Sequence, residues 1–274
     1  MDNTILELYP NSGQTHPLKN LYLHQLAELP ARQPFIYSNF IASLDGRIAL
    51  PGENRATHQV PPAIANARDW RLFQELAVQA DLLITTARFF RQAASSEAQA
   101  ELPIGMSADF EDLRDWRINH GLKPQPDIGI FSASLDIPVE SLNRYSGRQL
   151  YVITGEDADK EQLRQLTSHS NLKVIYSGNG NHVDARSLRT QLGALGYQRV
   201  YAIAGPSVLH ALADGDALDR LYHTTAHCIL GGTEFDTFIR GEELLPALHL
   251  PLRAMYLDQS SPPGCGQTLA VYGK

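Results

Sequence analysis

Apolar positions along this chain switch between two periods. Unbroken β-branched and aromatic runs recur at Phe35–Ser43, just after Pro34, and at Asp81–Thr86, Asp127–Ser132, Gln149–Thr154, Leu172–Tyr176 and Arg199–Ala204. Runs this short, with no polar alternation, suit strands covered on both faces. Between them the spacing turns helical. Ala63–Ala80 places Leu72, Phe73, Leu76 and Ala80 at helical intervals, and Asp157 precedes a second helix over Ala158–Leu166. Asp184 precedes a third, with Leu188, Leu192 and Leu195 on one face and a stop at Gly196. Strand–helix alternation predicts parallel β-α-β units.

The pattern changes at both ends and in one long excursion. Leu221–Leu230 reads as a strand broken by Gly231-Gly232, and Leu252–Leu257 and Gln267–Tyr272 read as two more with no helix between them, which predicts an antiparallel hairpin. Residues 88–125 hold no clear strand; short helices are expected at 97–101 and Asp109–Asn119. Residues 1–33, with one helix expected within Leu18–Leu29, read as an arm packed on a single domain over 34–274.

Composition narrows the class. With 43% hydrophobic and 19% charged residues the chain can bury a full core, and it has no apolar run of the roughly 18 residues a membrane span needs. The N-terminus lacks the basic-then-apolar order of a secretory signal, so a cytoplasmic location is expected. Two cysteines, Cys228 and Cys265, supply neither a disulfide framework nor a paired metal motif. A net charge of −7 argues against nucleic acid and leaves a small molecule as the expected partner.

Chemistry is expected at strand ends. Ser43 and Asp45 project where the first run stops at Asp45-Gly46. At Gly205-Pro206-Ser207 a strand gives way to a helix whose free N–H groups suit a phosphate. At Gly231-Gly232 the lack of Cβ atoms lets backbone approach a ligand closely. Each feature alone is also an ordinary turn. His223 and His227 share one strand face without a third ligand, so no metal is expected. Cys265 has no basic neighbour to make it a reactive thiolate. His58, in a loop near the site, is a candidate proton donor or stacking group.

In order and spacing, five segments together resemble the reductase domain of riboflavin biosynthesis, the C-terminal half of a bifunctional deaminase-reductase that also occurs alone. They are Ser43-Leu44-Asp45-Gly46-Arg47, Ala80-Asp81, Arg117-x-x-x-Gly121-Leu122, Gly205-Pro206-Ser207-x-Leu209 and Leu230-Gly231-Gly232. The resemblance covers about residues 34–273, and neither an HxE nor a PCxxC deaminase signature occurs. It implies a dihydrofolate-reductase-like α/β fold, a mixed and mainly parallel sheet flanked by helices with a C-terminal antiparallel hairpin. It also implies a homodimer that binds NADPH and reduces 5-amino-6-(5-phosphoribosylamino)uracil at its ribosyl carbon.

Carried over by position, Ala42 and Ser43 would line the nicotinamide and Asp45 would shape or polarise the substrate site. Thr85 and Thr86, Gly205, Pro206, Ser207, Val208 and Leu209, with Gly231 and Gly232, would hold the cofactor. Four positions depart from the family pattern. Phe89 replaces a cofactor-contacting Thr, Ala77 replaces a substrate-binding Arg, and Ile203-Ala204 replaces a Glu and a glycine. Arg55, Arg68, Arg71, Arg88 and Arg91 are candidates to replace the missing charge. The rival readings are a non-catalytic or regulatory homologue and a reductase of another pteridine or dihydrofolate-like substrate.

Overall fold

The computed structural model describes residues 4–25, 34–52, 58–94, 102–168, 171–180, 183–262 and 264–274. The helix expected at 97–101, the end of that expected in Leu18–Leu29, and Arg55 lie outside these residues. In chain order the strands are β1 (Thr4–Tyr9), β2 (Thr15–Pro17), β3 (Phe35–Ser43), β4 (Leu50–Pro51), β5 (His58–Gln59), β6 (Leu82–Thr86), β7 (Asp127–Phe131), β8 (Leu150–Thr154), β9 (Leu172–Tyr176), β10 (Arg199–Ala202), β11 (Arg220–Ala226), β12 (Leu252–Asp258) and β13 (Gln267–Gly273). The helices are α1 (Leu21–Gln25), α2 (Ala67–Gln79), α3 (Ala87–Ala94), α4 (Glu111–Asn119), α5 (Val139–Asn143), α6 (Lys160–Thr167), α7 (Ala185–Ala194) and α8 (Pro206–Asp214).

Eleven strands form one sheet in the order β2-β1-β12-β13-β11-β3-β10-β6-β7-β8-β9. From β11 to β9 every pairing is parallel, and from β11 to β2 every pairing is antiparallel. The all-apolar runs are the strands buried on both faces: every residue of β7 and β8 is buried, whereas edge strand β9 exposes Lys173 and Tyr176. Register sorts side chains into two layers. Tyr37 of β3, Tyr201 of β10 and Leu83 of β6 are neighbours on the face covered by α1 and α2; Ile36, Val200 and Leu82 are neighbours on the face covered by α7 and α8. Tyr37 and Tyr201 stack with centroids 5.0 Å apart, and Tyr37 secures its hydroxyl by donating to Leu76 O at 2.7 Å.

Helix starts follow local chemistry. The Asn66 side chain caps α2 by accepting from Asp69 N, Asp159 rather than Asp157 caps α6, Asp184 caps α7, and Pro206 occupies the first turn of α8. The structure adds three features absent from the sequence reading. Residues 4–17 form strands β1 and β2, and β1 extends the sheet by pairing with β12. Helix α3 begins at the residue after β6, with no turn between. The strand expected at Leu221–Leu230 ends at Ala226, where Cys228 N turns back to Ala226 O.

Candidate active site

All strands of the parallel half end at one edge of the sheet, and the segments that leave them wall a cleft of about 1340 Å³. Thr85 to Phe89 enter it from β6 and α3, Ser132 to Ser134 from β7, and Ile203 to Val208 from β10 and α8. Asn66, Asp69, Trp70 and Phe73 of the α2 region form the other wall, with Trp70 and Phe73 stacked 4.8 Å apart. Ligand sites span about 300–1,000 Å³. This cleft therefore has room for two ligands side by side.

Of the residues expected to hold a cofactor, Thr85, Thr86, Gly205, Pro206, Ser207 and Val208 are on the cleft wall. Ala42 and Leu209 are buried in the core behind it, and Ser43, Asp45, Gly231 and Gly232 stand outside its lining. Those last four belong to one knot. Ser43 Oγ donates to Asp45 Oδ1 at 2.5 Å, Leu230 N and Gly231 N donate to the same carboxylate at 3.2 and 2.9 Å, and Arg47 pairs with it at 2.8 Å. Arg47 also donates to Gly232 O at 2.8 Å and lies 3.9 Å over the Phe235 ring. Asp45 thus ties the end of β3 to the loop after β11. The Ser43 hydroxyl and the two backbone N–H groups hold its carboxyl well below the usual carboxylate range, so it stays ionised at neutral pH.

A depressed carboxylate stabilises the folded state above its unfolded pKa of about 4 and loses that contribution as pH falls towards the folded value. Asp45→Asn is therefore expected to lower the melting temperature at pH 7. The gap from wild type should begin to narrow below about pH 4 and keep narrowing towards the folded pKa. Thermal shift at pH 7, 4 and 3 measures it, and a gap that is constant with pH would contradict the assigned charge state.

The sequence reading missed Asp69. It occupies the first turn of α2, faces the cleft, and accepts a 2.7 Å hydrogen bond from Thr224 Oγ1 of β11. Burial pushes its pKa up to about 6, against the opposing pull of that hydrogen bond. Its neighbour Arg68 turns away to Asp258 at 2.7 Å, and no cation pairs with Asp69 among the described residues. A second acid, Asp236, holds His58 Nδ1 at 2.7 Å on the same wall, where a bridge to Ala49 fixes Asp236. Neither carboxylate carries a local motif, since their partners lie 155 and 178 residues away in the chain.

The departures fall in two classes. Phe89, Ile203 and Ala204 line the cleft, Phe89 edge-on to Phe90 at 5.4 Å, whereas Ala77 is wholly buried in the core. Among the candidate arginines, Arg68 and Arg71 are engaged with Asp258 and with Glu75 and Asp112. Arg88 and Arg91 stand on the cleft wall, where Arg91 donates to Asp136 O at 2.7 Å.

Residues 34–260 match the RibD C-terminal domain family. The chain belongs to that family. No curated protein matches it in sequence. Among solved structures it is similar to a pyrimidine reductase-like protein from Corynebacterium diphtheriae, at 19% identity over 90% of this chain and 96% of that one, with a TM-score of 0.65. It is also similar to Acinetobacter baumannii RibD, at 15% identity, 88% and 58% coverage and a TM-score of 0.59. Riboflavin biosynthesis reductase Rib7 from Saccharomyces cerevisiae matches at 14% identity, 92% and 94% coverage and a TM-score of 0.52. These likenesses establish the fold, and the dihydrofolate-reductase-like architecture implied by the resemblance is the one the chain adopts. Membership of the RibD C-terminal family makes the chain a RibD-like oxidoreductase. No helix of the described residues is long and apolar enough to cross a membrane.

Proposed function

We propose that this RibD-family protein is an NADPH-dependent reductase of 5-amino-6-(5-phosphoribosylamino)uracil, acting at the ribosyl carbon. The observation that carries the reading is the opening of α8 onto the cleft. An atom added at the Cβ position of Gly205 meets nothing within 4 Å, so the backbone is open to a ligand at the helix start, where Ser207 N is free while Val208 N donates to Gly205 O at 3.0 Å. Helix N-termini favour phosphate through unpaired donors and the partial positive charge of the helix end. Thr86, the last residue of β6, and Ser132 and Ser134, after β7, add hydroxyls along the same wall.

A bound nicotinamide nucleotide would supply the hydride; the chain's task is to seat it beside the substrate and exclude water. In this reading Gly205 to Val208 with Thr85 and Thr86 hold the nucleotide, and Arg88 and Arg91 take anionic groups. Ser43 and Asp45 with Gly231 and Gly232 act as positioning residues, fixing the loops behind the substrate half. The reading also takes the protein as a cytoplasmic homodimer, which sedimentation of the purified chain would check.

Titration with NADPH, and separately NADH, followed by the fluorescence of cleft residue Trp70 and by thermal shift, tests the proposal. A ligand bound only by the folded state adds about 2.7 kcal/mol of stability at a hundred times its Kd. Micromolar binding with preference for NADPH is expected. Absence of binding by either nucleotide at millimolar concentration would overturn it.

A further inference from the structure

The cleft holds an acid that nothing in the fold requires. Asp69 does not cap its helix, since Asn66 does so by accepting from Asp69 N at 2.8 Å. Nor does this half-buried carboxyl pair with a cation among the described residues. Yet it is positioned with care. Asn66 is braced on Gln267 at 2.9 Å, Gln267 on Asp258 at 3.0 Å, and Asp258 on Arg68 at 2.7 Å, so the Arg68 charge is drawn away from Asp69. Thr224 then fixes the rotamer from the opposite element. Other groups within electrostatic reach are Tyr22 of α1 and Tyr201 of β10, whose burial keeps their phenols neutral, and the cleft wall adds the His58–Asp236 pair.

We infer that Asp69 is the proton donor of the reduction, oriented by Thr224. This inference rests on the reductase reading above. In the ring-opened form of the substrate the bond from the ribosyl carbon to the ring oxygen is broken, that oxygen holds the proton released by the amine nitrogen, and a C=N bond joins the carbon to nitrogen. As that carbon gains a hydride from the nicotinamide nucleotide, the electron pair of the C=N bond moves to nitrogen. The Asp69 O–H bond breaks, an N–H bond forms, and the carboxylate regains a proton from solvent at the cleft mouth. Asp45 cannot take this role, because it is ionised and outside the cleft wall. An acid works best when its pKa lies near the operating pH, and desolvation in the cleft brings Asp69 close to it.

Two measurements test this on the full chain. The first is carbon-13 NMR of the aspartate carboxyls, with the Asp69 resonance identified as the one lost in Asp69→Asn. A midpoint near 6 upholds the assignment and an ordinary midpoint near 4 overturns it. The second is single-turnover oxidation of NADPH by 5-amino-6-(5-phosphoribosylamino)uracil between pH 5 and 9. The wild-type rate should fall about tenfold per pH unit above the midpoint. Asp69→Asn should bind NADPH within twofold of wild type and lose at least a hundredfold in rate, with no inflection left. Thr224→Val removes a bond that favours the charged form, so the inflection should move to higher pH. Rate loss in Asp69→Asn with the inflection unmoved would reduce Asp69 to a structural part and overturn the proposal. A chain that binds NADPH and titrates near 6 but does not turn over this substrate would sink the substrate reading and leave the acid standing.

Discussion

Replacement of Arg117 by leucine is expected to remove about 3–6 kcal/mol of stability, a large share of the 5–15 kcal/mol typical of a folded chain. Arg117 is one of the largest fully buried side chains in the protein. Its Nη1 donates to Val78 O at 2.8 Å and Ala80 O at 2.5 Å, where α2 ends, and its Nε donates to Lys123 O at 2.7 Å. Burial pulls its pKa down to about 10, which still leaves it charged at neutral pH. Leucine keeps part of the volume but strands the buried carbonyls of Val78 and Ala80 and the half-buried one of Lys123, each buried group costing about 1–3 kcal/mol if nothing replaces the donor. Urea unfolding followed by tryptophan fluorescence measures the loss. Arg117→Lys should fall between wild type and leucine, because one ammonium cannot match the planar fork. A loss under about 1 kcal/mol for leucine would mean that water satisfies the carbonyls instead. The Arg117-x-x-x-Gly121-Leu122 segment therefore works as a clamp between α4 and the end of α2. Gly121 takes a φ of +68°, and Leu122 N turns back to Arg117 O at 3.1 Å.

Gly205→Val should produce the opposite profile, a protein of nearly unchanged melting temperature with its NADPH affinity reduced roughly ten- to a hundredfold. The φ of −73° and ψ of −178° at Gly205 are open to any residue, and no atom stands within 4 Å of the added Cβ. Valine at a helix N-cap in place of glycine costs at most about 1 kcal/mol, so folding survives. The isopropyl group instead occupies the space over the Ser207 N–H at the start of α8, where a phosphate of the proposed cofactor would sit. A factor of ten in affinity corresponds to about 1.4 kcal/mol, a modest demand on a group that excludes a phosphate from its donors. Fluorescence titration of both proteins decides it. Equal affinities would move the phosphate site away from α8.

Most of the sheet was legible in the sequence, because strands buried on both faces must be apolar throughout and leave no ambiguity of period. The runs at Asp127, Gln149 and Leu172 come within a residue of β7, β8 and β9. The N-terminal strands were hidden by Glu7. It stands buried in β1 where alternation calls for an apolar residue, and it is compensated by His16 at 2.5 Å and Asn11 N at 3.0 Å, partners no pattern reveals. Helix α3 was not anticipated because it follows β6 directly, without cap or glycine. At the site, the Gly205-Pro206 break was visible as a strand stop and helix start. Asp69 was not, since Arg68-Asp69-Trp70-Arg71 reads as part of the helix expected over Ala63–Ala80, with nothing to single out its acid until β11 brings Thr224 alongside. The Ser-Leu-Asp-Gly segment identified the family more reliably than it located the cleft, because its side chains are spent on tying two loops together.

The place of β3 in the sheet also sets a timetable for biosynthesis. Its neighbours are β10 and β11, so the strand that founds the parallel half waits for partners whose paired residues lie 164 and 183 positions later, Arg199 opposite Phe35 and Arg220 opposite Tyr37. At translation rates of about 5–20 residues per second that wait is roughly ten to forty seconds. During it, Phe35 to Ser43, uncharged and rich in aromatic and β-branched residues, leaves the ribosome with both edges unsatisfied. Yield in the cell should accordingly depend on holding chaperones and on slow growth temperature far more than the stability of the finished protein would suggest.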